Sequence, residues 1–362
     1  AARSLTTSST VWTPRKTVKD RTGKNIVFVD GVRTPFLTSG SDYQKLMPHQ
    51  LASHSLLHLM KKTGVPRELV EYIIYGTVIQ EVKTSNIGRE AALSAGFSDK
   101  TPSHTVTMAC ISSNAGMTTG IGLIAAGAYD VIVAGGVEMM SDVPIRHSRK
   151  MRALMLRANK AKTLGQKLQL LSTIRPDFFV PELPAVAEFS SGETMGHSAD
   201  RLAASFKVTR DEQDKYALRS HTLAQEATNK GYLTDIVPFK LPGSDKVVEK
   251  DNGIRVAPLE KLASLKPAFV KPHGTVTAAN ASFLVGAIDL NKFNNWGGSL
   301  SIGHPFAATG RRHDRGTSPG WTGQLIDPRL QNRFLTNIVF FFLFLFGYIF
   351  LNITLLGIQG RY

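Results

Sequence analysis

Cysteine is almost absent from this sequence, since Cys110 is the only one among 362 residues. No disulfide can form within the chain, so its fold does not depend on oxidation. The sequence also lacks the signatures of the known nucleic-acid-binding modules. A lone cysteine is usually a small core residue, and a chemical role for Cys110 therefore has to be argued from the residues around it.

Acidic residues are scarce relative to basic ones: 28 Asp and Glu face 43 Lys and Arg, which gives a formal net charge of +15. Such an excess favours an acidic partner, and without a nucleic-acid module this means an anionic membrane or a phosphate-bearing substrate. The alternative is that the charge reflects only the generally basic composition of mitochondrial matrix proteins. Residues 1–24 are basic and rich in Ser and Thr, which is typical of a transit-peptide remnant or of the segment that follows one.

The charge imbalance is greatest between residues 146 and 175, where nine Lys or Arg occur without an acidic residue. Apolar residues at helical spacing predict a basic amphipathic segment here. They are Leu154, Met155, Leu164, Leu168, Leu171 and Ile174. One interpretation is a solvated helix packed on the body of the protein; the other is a contact with anionic lipid or with an acidic partner subunit.

Short apolar runs alternate with helical patterns over the first 140 residues. Strands are predicted at 26–30, 72–78, 104–109 and 131–136, and helices at 48–63, 87–95 and 114–127. This alternation predicts an α/β fold with layers packed on a largely parallel sheet. Two polar helices are predicted within residues 193–231, followed by mixed loop and short elements over 236–272.

Residues 338–358 contain no charged side chain. As a helix, this segment would be long enough to span the roughly 30 Å hydrocarbon core of a bilayer, which makes it a transmembrane candidate. A competing interpretation is that it is translated non-coding sequence, because residues 311–337 before it show no clear periodicity.

Two residues have the context of a catalytic pair. Cys110 follows a predicted strand and precedes a small-residue helix, whose N-terminus would stabilise a thiolate and offer backbone N–H groups to an oxyanion. His304 lies between glycines that suit close backbone approach to a ligand. A histidine there is suited to take the thiol proton or to donate to a carbonyl oxygen.

Several motifs resemble those of the thiolase family, in the family's order, over about residues 25–310. They are the nucleophile segment 106–114, the strand and turn 135–141, the loop-domain motif 193–200, its continuation at 210–214 and 220–221, the CoA loop 274–282 and the histidine loop 303–305. Residues 33–36, 77–86 and 141–151, with the basic stretch after them, are similar to the membrane-associated beta subunits of mitochondrial fatty-acid-oxidation complexes.

This resemblance implies a thiolase-like layered αβαβα fold with an inserted loop domain, acting in mitochondrial fatty-acid oxidation. Cys110 would be the acyl-thioester nucleophile, and His304 the base and part of the oxyanion hole. Met195, Ala278 and Ser282 would lie near the pantetheine of coenzyme A, which is a substrate; no cofactor and no metal are implied. The implied partners are acyl-CoA, CoA, a second copy of the chain, an alpha subunit and anionic inner-membrane lipid on the matrix side, but no nucleic acid.

The resemblance divides the chain into five parts. They are a basic N-terminal segment (1–24), the thiolase N-terminal half (25–143), the loop domain with its basic segment (144–275), the CoA loop joined to a remnant of the C-terminal half (276–310), and a tail outside the family (311–362). Most of the second half is therefore expected to be missing.

The chain departs from the family in two features that bear on catalysis. No cysteine follows Cys110, although the family has a second one as acid/base, and the segment ending in Asn-Glu-Ala-Phe or His-Glu-Ala-Phe is absent between Ser282 and Trp296. Little or no thiolase activity is therefore expected of this chain alone. The alternatives are a non-catalytic, membrane-associated assembly subunit and a related Claisen-condensing synthase.

Overall fold

The computed structural model describes residues 26–185, 187–281 and 295–308, together with the backbone of 338–341. Its strands are β1 (Val27–Phe28), β2 (Tyr72–Gly76), β3 (Ser103–Val106), β4 (Val131–Gly136), β5 (Phe239–Lys240), β6 (Val247–Val248) and β7 (Ile338–Phe341). Its α-helices are α1 (Pro48–Thr63), α2 (Ile87–Ser94), α3 (Ser112–Ala125), α4 (Arg149–Lys160), α5 (Leu164–Leu171), α6 (Met195–Ser205), α7 (Arg210–Asn229), α8 (Leu259–Ala263) and α9 (Ser299–Ile302).

A five-stranded sheet in the order β1-β7-β4-β2-β3 forms the centre of the fold, and all of its strand pairs are parallel. The predicted α/β layers on a parallel sheet are therefore confirmed. Strands β5 and β6 pair separately as a short antiparallel ribbon.

Helices cover both faces of the sheet, which is why its inner strands are apolar on both sides. In β2, Ile73 and Tyr75 join the core cluster that includes α1 and α2, whereas Ile74 joins the cluster that includes α3. Ile73 and Ile74 are completely buried, and each such side chain contributes about 1.5–3 kcal/mol by leaving water. The alternation between the two faces fixes the register of β2 in the sheet.

Helix α3 lies close to the sheet because its inward face carries glycine. A Cβ on Gly116 would lie 3.2 Å from Ile74 Cγ2, and one on Gly120 would lie 3.3 Å from Ile132 Cγ2. Larger residues at these positions would push the helix, and the turn before it, away from β2 and β4.

The predicted element positions hold for the strands and helices of the first 140 residues, with differences at their ends. The strand predicted to run to residue 109 stops at Val106, and the helix predicted from residue 114 begins at Ser112. Four residues thus lie between β3 (Ser103–Val106) and the N-cap of α3 at Ile111. They form a turn because the Thr107 hydroxyl bonds to the Thr77 carbonyl and the Met108 N–H bonds to the Ser112 hydroxyl.

The apolar segment 338–358 enters the described structure only at Ile338–Phe341, which pairs with both β1 and β4. A run of β-branched and aromatic residues without charge suits a buried parallel strand as well as a membrane helix. The rest of the segment lies outside the described residues. None of the described helices is long and apolar enough to cross a membrane.

The basic segment forms two short helices, α4 and α5, joined through Ala161–Thr163. Leu154 of α4 is buried, but Met155, Leu164, Leu168 and Leu171 are 51%, 74%, 57% and 57% exposed. Most of the predicted apolar face is therefore not packed against the described body of the chain.

Candidate active site

Cys110 lies in the tight turn between β3 and α3. The residue before it, Ala109, has φ = 45°, a left-handed conformation that is uncommon for any residue except glycine. The Ser112 hydroxyl holds the turn: it accepts from the Met108 N–H (2.9 Å) and donates to the Ala109 carbonyl (2.6 Å). The half-buried thiol is thereby placed at the N-terminus of α3, as predicted for a nucleophile.

The Cys110 turn approaches the sheet over a glycine. A Cβ on Gly76, the last residue of β2, would lie 2.7 Å from both the carbonyl carbon and the Cβ of Ser112. The next residue, Thr77, ties down the other side of the turn. Its N–H donates to the Val106 carbonyl (3.1 Å), and its carbonyl accepts from the Thr107 hydroxyl (2.7 Å).

His304 lies in the segment between α9 and a 3-10 turn at Phe306–Ala308. Gly303 before it has φ = 109°, a backbone conformation that favours glycine. The imidazole packs edge-on against Phe306, with ring centroids 5.3 Å apart. His304 also lines a cavity of about 280 Å³ between the 33–39 loop and residues 136–141.

The His304 segment rests on the carboxyl end of β4. A Cβ on Gly136 would lie 1.9 Å from the Ala307 carbonyl oxygen and 3.2 Å from the Ser113 side chain. Only glycine fits this contact, and it holds the segment against the first turn of α3. The structure thus brings Cys110 and His304 to the same end of the sheet.

Glu138 connects the two candidate residues. Its carboxylate accepts hydrogen bonds from the backbone N–H groups of Val78 (3.1 Å), Ile79 (3.0 Å) and Ala307 (3.1 Å). It therefore joins the carboxyl ends of β2 and β4 to the His304 segment. The sequence motif at 135–141 contained Glu138, but nothing in the motif pointed to this role.

Burial leaves both members of the pair neutral near pH 7. It raises the pKa of the Cys110 thiol, and the negative charge of Glu138 raises it further, against the lowering effect of a backbone hydrogen bond. Burial also lowers the pKa of His304 to about 4. At rest, a neutral imidazole able to accept a proton accompanies a protonated thiol, so a Cys110 thiolate would form only by proton transfer.

Two of the three predicted pantetheine contacts lie within the described residues. Met195 begins α6 and Ala278 lies in the CoA loop, and both are exposed. Neither lines the cavity beside His304. Ser282 lies outside the described residues.

Two buried polar side chains shape the loop that carries Ala278. Asp200 of α6 accepts from the backbone N–H groups of Thr275 (2.7 Å) and Val276 (2.9 Å). Asn280 donates to Asp214 of α7 (2.7 Å). These bonds fix the loop against α6 and α7, and they explain why polar residues occur in the motifs at 193–200 and 274–282.

The described residues contain no group of three or more His, Cys, Asp or Glu that could hold a metal ion. The prediction that the chemistry needs neither metal nor cofactor stays a prediction. What the site does contain is a half-buried thiol, a neutral imidazole and a carboxylate that bonds the His304 segment to the residues after β2.

A family model described as "Thiolase, N-terminal domain" matches residues 26–286. The chain belongs to the thiolase family. The predicted family, fold class and class of enzyme, an acyltransferase, are thereby confirmed. The matched residues include Cys110, Glu138, Met195 and Ala278, while His304 follows the match.

Individual relatives agree with this assignment. The mitochondrial trifunctional enzyme subunit beta of Homo sapiens is 52% identical over 395 residues, covering 82% of this thiolase and 83% of that protein. The mouse protein of the same name is 68% identical over 270 residues, with coverages of 75% and 57%. A probable 3-ketoacyl-CoA thiolase of Caenorhabditis elegans is 57% identical over 283 residues, covering 78% of this chain and 63% of that protein.

A solved structure confirms the fold. The crystal structure of the Bacillus anthracis acetyl-CoA acetyltransferase has a TM-score of 0.60 and 34% sequence identity, covering 72% of this thiolase and 63% of that chain. The human alignment spans 395 residues, more than the 362 of this chain, so it includes positions of the human protein that this chain lacks.

Proposed function

We propose that this chain is a 3-ketoacyl-CoA thiolase of mitochondrial fatty-acid oxidation that retains acyl transfer but is impaired in carbon–carbon cleavage. The observation that carries the proposal is the placement of the strained Cys110 turn and the His304 segment at one end of the sheet. The names of its relatives, mitochondrial trifunctional enzyme subunit beta and 3-ketoacyl-CoA thiolase, support the substrate class and the compartment.

In the proposed reaction, His304 takes the thiol proton and the sulfur of Cys110 attacks the 3-keto carbon. The backbone N–H of Cys110 at the start of α3 contributes to the oxyanion site. Collapse of this adduct breaks the carbon–carbon bond, leaving the acyl group on Cys110 and releasing the enolate of acetyl-CoA. The enolate takes a proton from a further acid, whose conjugate base takes the thiol proton of a second CoA. The resulting CoA thiolate attacks the thioester, and the sulfur of Cys110 leaves and regains its proton from His304.

Carbon–carbon cleavage and acyl transfer require different groups from the chain. The enolate needs a proton from a further acid, and Cys110 is the only cysteine here. Loss of a positioned acid costs about 10²- to 10⁴-fold in rate. Transfer of an acyl group between Cys110 and CoA needs only the nucleophile and His304, so this step should persist when cleavage is slow.

The proposal is tested by incubating the chain with a long-chain acyl-CoA and measuring its intact mass. One acyl group should be added to the chain and none to the Cys110→Ser variant. The same preparations are then assayed for CoA-dependent thiolysis of a long-chain 3-ketoacyl-CoA. A folded chain that is never acylated would refute the proposal. Thiolysis as fast as acylation would refute the impaired cleavage.

A second candidate function is a non-catalytic, membrane-associated assembly subunit, which the exposed helices α4 and α5 favour. Exposed leucines beside an excess of Lys and Arg suit anionic lipid at the matrix face of the inner membrane. The same surface also suits the alpha subunit of a trifunctional enzyme, with this chain as a thiolase-type homodimer. A chain that binds vesicles or the alpha subunit but is never acylated would establish this function in place of the first.

A further inference from the structure

We propose that Glu138 is a positioning residue that holds the His304 segment in place against the Cys110 turn. The inference rests on the proposed function, since it assigns Glu138 a part in acyl transfer at the same site. It goes beyond that function because Glu138 touches neither reacting group in the proposed steps.

A continuous path of hydrogen bonds carries the argument. The Cys110 turn is bonded to Thr77 through the Val106 carbonyl and the Thr107 hydroxyl. The next residue, Val78, donates its N–H to Glu138 Oε2, and the same oxygen accepts from the N–H of Ala307. One carboxylate oxygen thus joins the His304 segment to the residues after β2, and Thr77 there bonds the Cys110 turn.

A merely structural contact would not require a charge in this place. Glu138 is 8% exposed, and no salt bridge to it is found in the described part of the chain. Burying an unpaired carboxylate is costly unless its hydrogen bonds compensate. Burial outweighs its three backbone bonds and raises its pKa.

The location of the Glu138 carboxylate explains its proposed positioning role. Glu138 and His304 line the same cavity, and the Glu138 carboxylate holds the His304 segment through the N–H of Ala307. The same charge disfavours the thiolate of Cys110. Removal of Glu138 should therefore make the thiol more acidic and acyl transfer slower, two effects of opposite sign that simple loss of stability would not produce.

The experiment compares Glu138→Ala and Glu138→Gln with Glu71→Gln. Glu71 is a matched control because its carboxylate also accepts backbone N–H groups, those of Asp130 and Val131, at the opposite end of β4. Two quantities are measured: the single-turnover rate of Cys110 acylation by a long-chain acyl-CoA, and the pH profile of Cys110 alkylation by iodoacetamide. The second needs no catalytic activity, and Cys110 is the only cysteine that can react.

Glu138→Ala should lower the limiting acylation rate by about a hundredfold, as expected when a reacting group shifts by about 1 Å. The half-saturating acyl-CoA concentration should stay within about twofold, because the hydrogen bonds of Glu138 go to Val78, Ile79 and Ala307 and not to the CoA loop. In both Glu138 variants the alkylation midpoint should move to lower pH. Glu138→Gln keeps an acceptor for Ala307, so its acylation should fall by less, and Glu71→Gln should match the unaltered chain in both measurements.

A folded Glu138→Ala variant that acylates within about threefold of the unaltered chain would overturn the inference, since positioning losses are larger than this. If this variant does not fold, Glu138→Gln decides, and an acylation rate equal to or above that of the unaltered chain overturns the inference. Failure of the unaltered chain to acylate would instead refute the proposed function, and the inference with it.

Discussion

At the scale of single residues, the chemistry depends on a thiol and an imidazole that are both neutral at rest. Because Cys110 is the only cysteine, iodoacetamide reports on its thiolate without background. Burial raises its pKa, so the alkylation rate should have its midpoint above the ordinary thiol value of about 8.5. A midpoint at or below pH 7 would indicate a preformed thiolate–imidazolium pair and would contradict the account.

His304 should also affect stability at acid pH. Its pKa is lowered from 6.5 to about 4 in the folded chain, so between these values the unfolded state binds more protons. The free energy of unfolding should therefore fall as the pH drops from 6.5 toward 4 and be unaffected by His304 above this window.

Denaturant unfolding at pH 7 and pH 4.5 measures this contribution, with His304→Gln as the variant that cannot titrate. Between pH 7 and pH 4.5, the free energy of unfolding of the unaltered chain should fall by about 2 kcal/mol more than that of the variant. His54, whose pKa burial also lowers to about 4, titrates equally in both chains and cancels from the comparison. An identical loss in the two chains would show that His304 is not buried as described.

The sequence predicts residues whose chemistry is local and misses those whose role comes from distant partners. Cys110 and His304 stand out because a strand-to-helix turn and flanking glycines are visible in the sequence. Glu138 does not, because two of its three hydrogen-bond partners lie about sixty residues before it and the third lies 169 residues after it. No periodicity or spacing rule predicts three backbone donors that meet only in the fold.

At the scale of elements, the site depends on the close contact of the His304 segment with the end of β4. Gly136→Ala would place a methyl group 1.9 Å from the Ala307 carbonyl, so the segment must move. Acylation of Cys110 should fall by about a hundredfold or more. The acylation rate is measured beside the far-ultraviolet circular dichroism, which should change little.

Gly122→Ala is the matched control for this substitution. Gly122 lies in α3, and a Cβ there meets nothing within 4 Å. Alanine in place of glycine within a helix stabilises by up to about 1 kcal/mol, and the acylation rate should be unchanged. Equal losses of acylation rate in Gly136→Ala and Gly122→Ala would show that the close contact between Gly136 and Ala307 is not specifically required for acylation.

The basic helices α4 and α5 should bind anionic vesicles. Phosphatidylcholine vesicles with and without an anionic phospholipid are mixed with the chain and sedimented. Lys160→Glu should lower binding to the anionic vesicles by about tenfold, since each basic residue near such a surface contributes about 1 kcal/mol. Lys45→Glu carries the same charge change on an exposed residue outside these helices and should have little effect. Equal binding to neutral vesicles would contradict an electrostatic contact.

Element types are predictable where hydrophobic periodicity is strong, as in α1 and β4. Boundaries are less so: β3 ends at Val106 because its next residues bond to Thr77 and Ser112, which the alternation of apolar residues cannot reveal. The segment from Ile338 is ambiguous for a different reason. An uncharged apolar run fits either a membrane helix or a buried strand, and only pairing with β1 and β4 distinguishes them.

At the scale of the whole molecule, this thiolase combines a complete nucleophile turn and histidine segment with a chain that lacks positions of its human relative. Four of the five strands of the parallel sheet, the helices on its two faces and the CoA loop lie within residues 26–281, which explains why the fold and the family are recognisable. In the proposed reaction the balance between the two steps depends on a proton donor for the enolate, and the only cysteine is the proposed nucleophile.

The most direct test of this account compares two rates in one preparation of the full chain. The first is the exchange of isotopically labelled CoA into a long-chain acyl-CoA, which requires only acyl transfer through Cys110. The second is CoA-dependent thiolysis of the matching 3-ketoacyl-CoA. We expect exchange that disappears in Cys110→Ser and that exceeds thiolysis by about a hundredfold or more. Thiolysis at the rate of exchange, or a folded chain with no exchange, would contradict it.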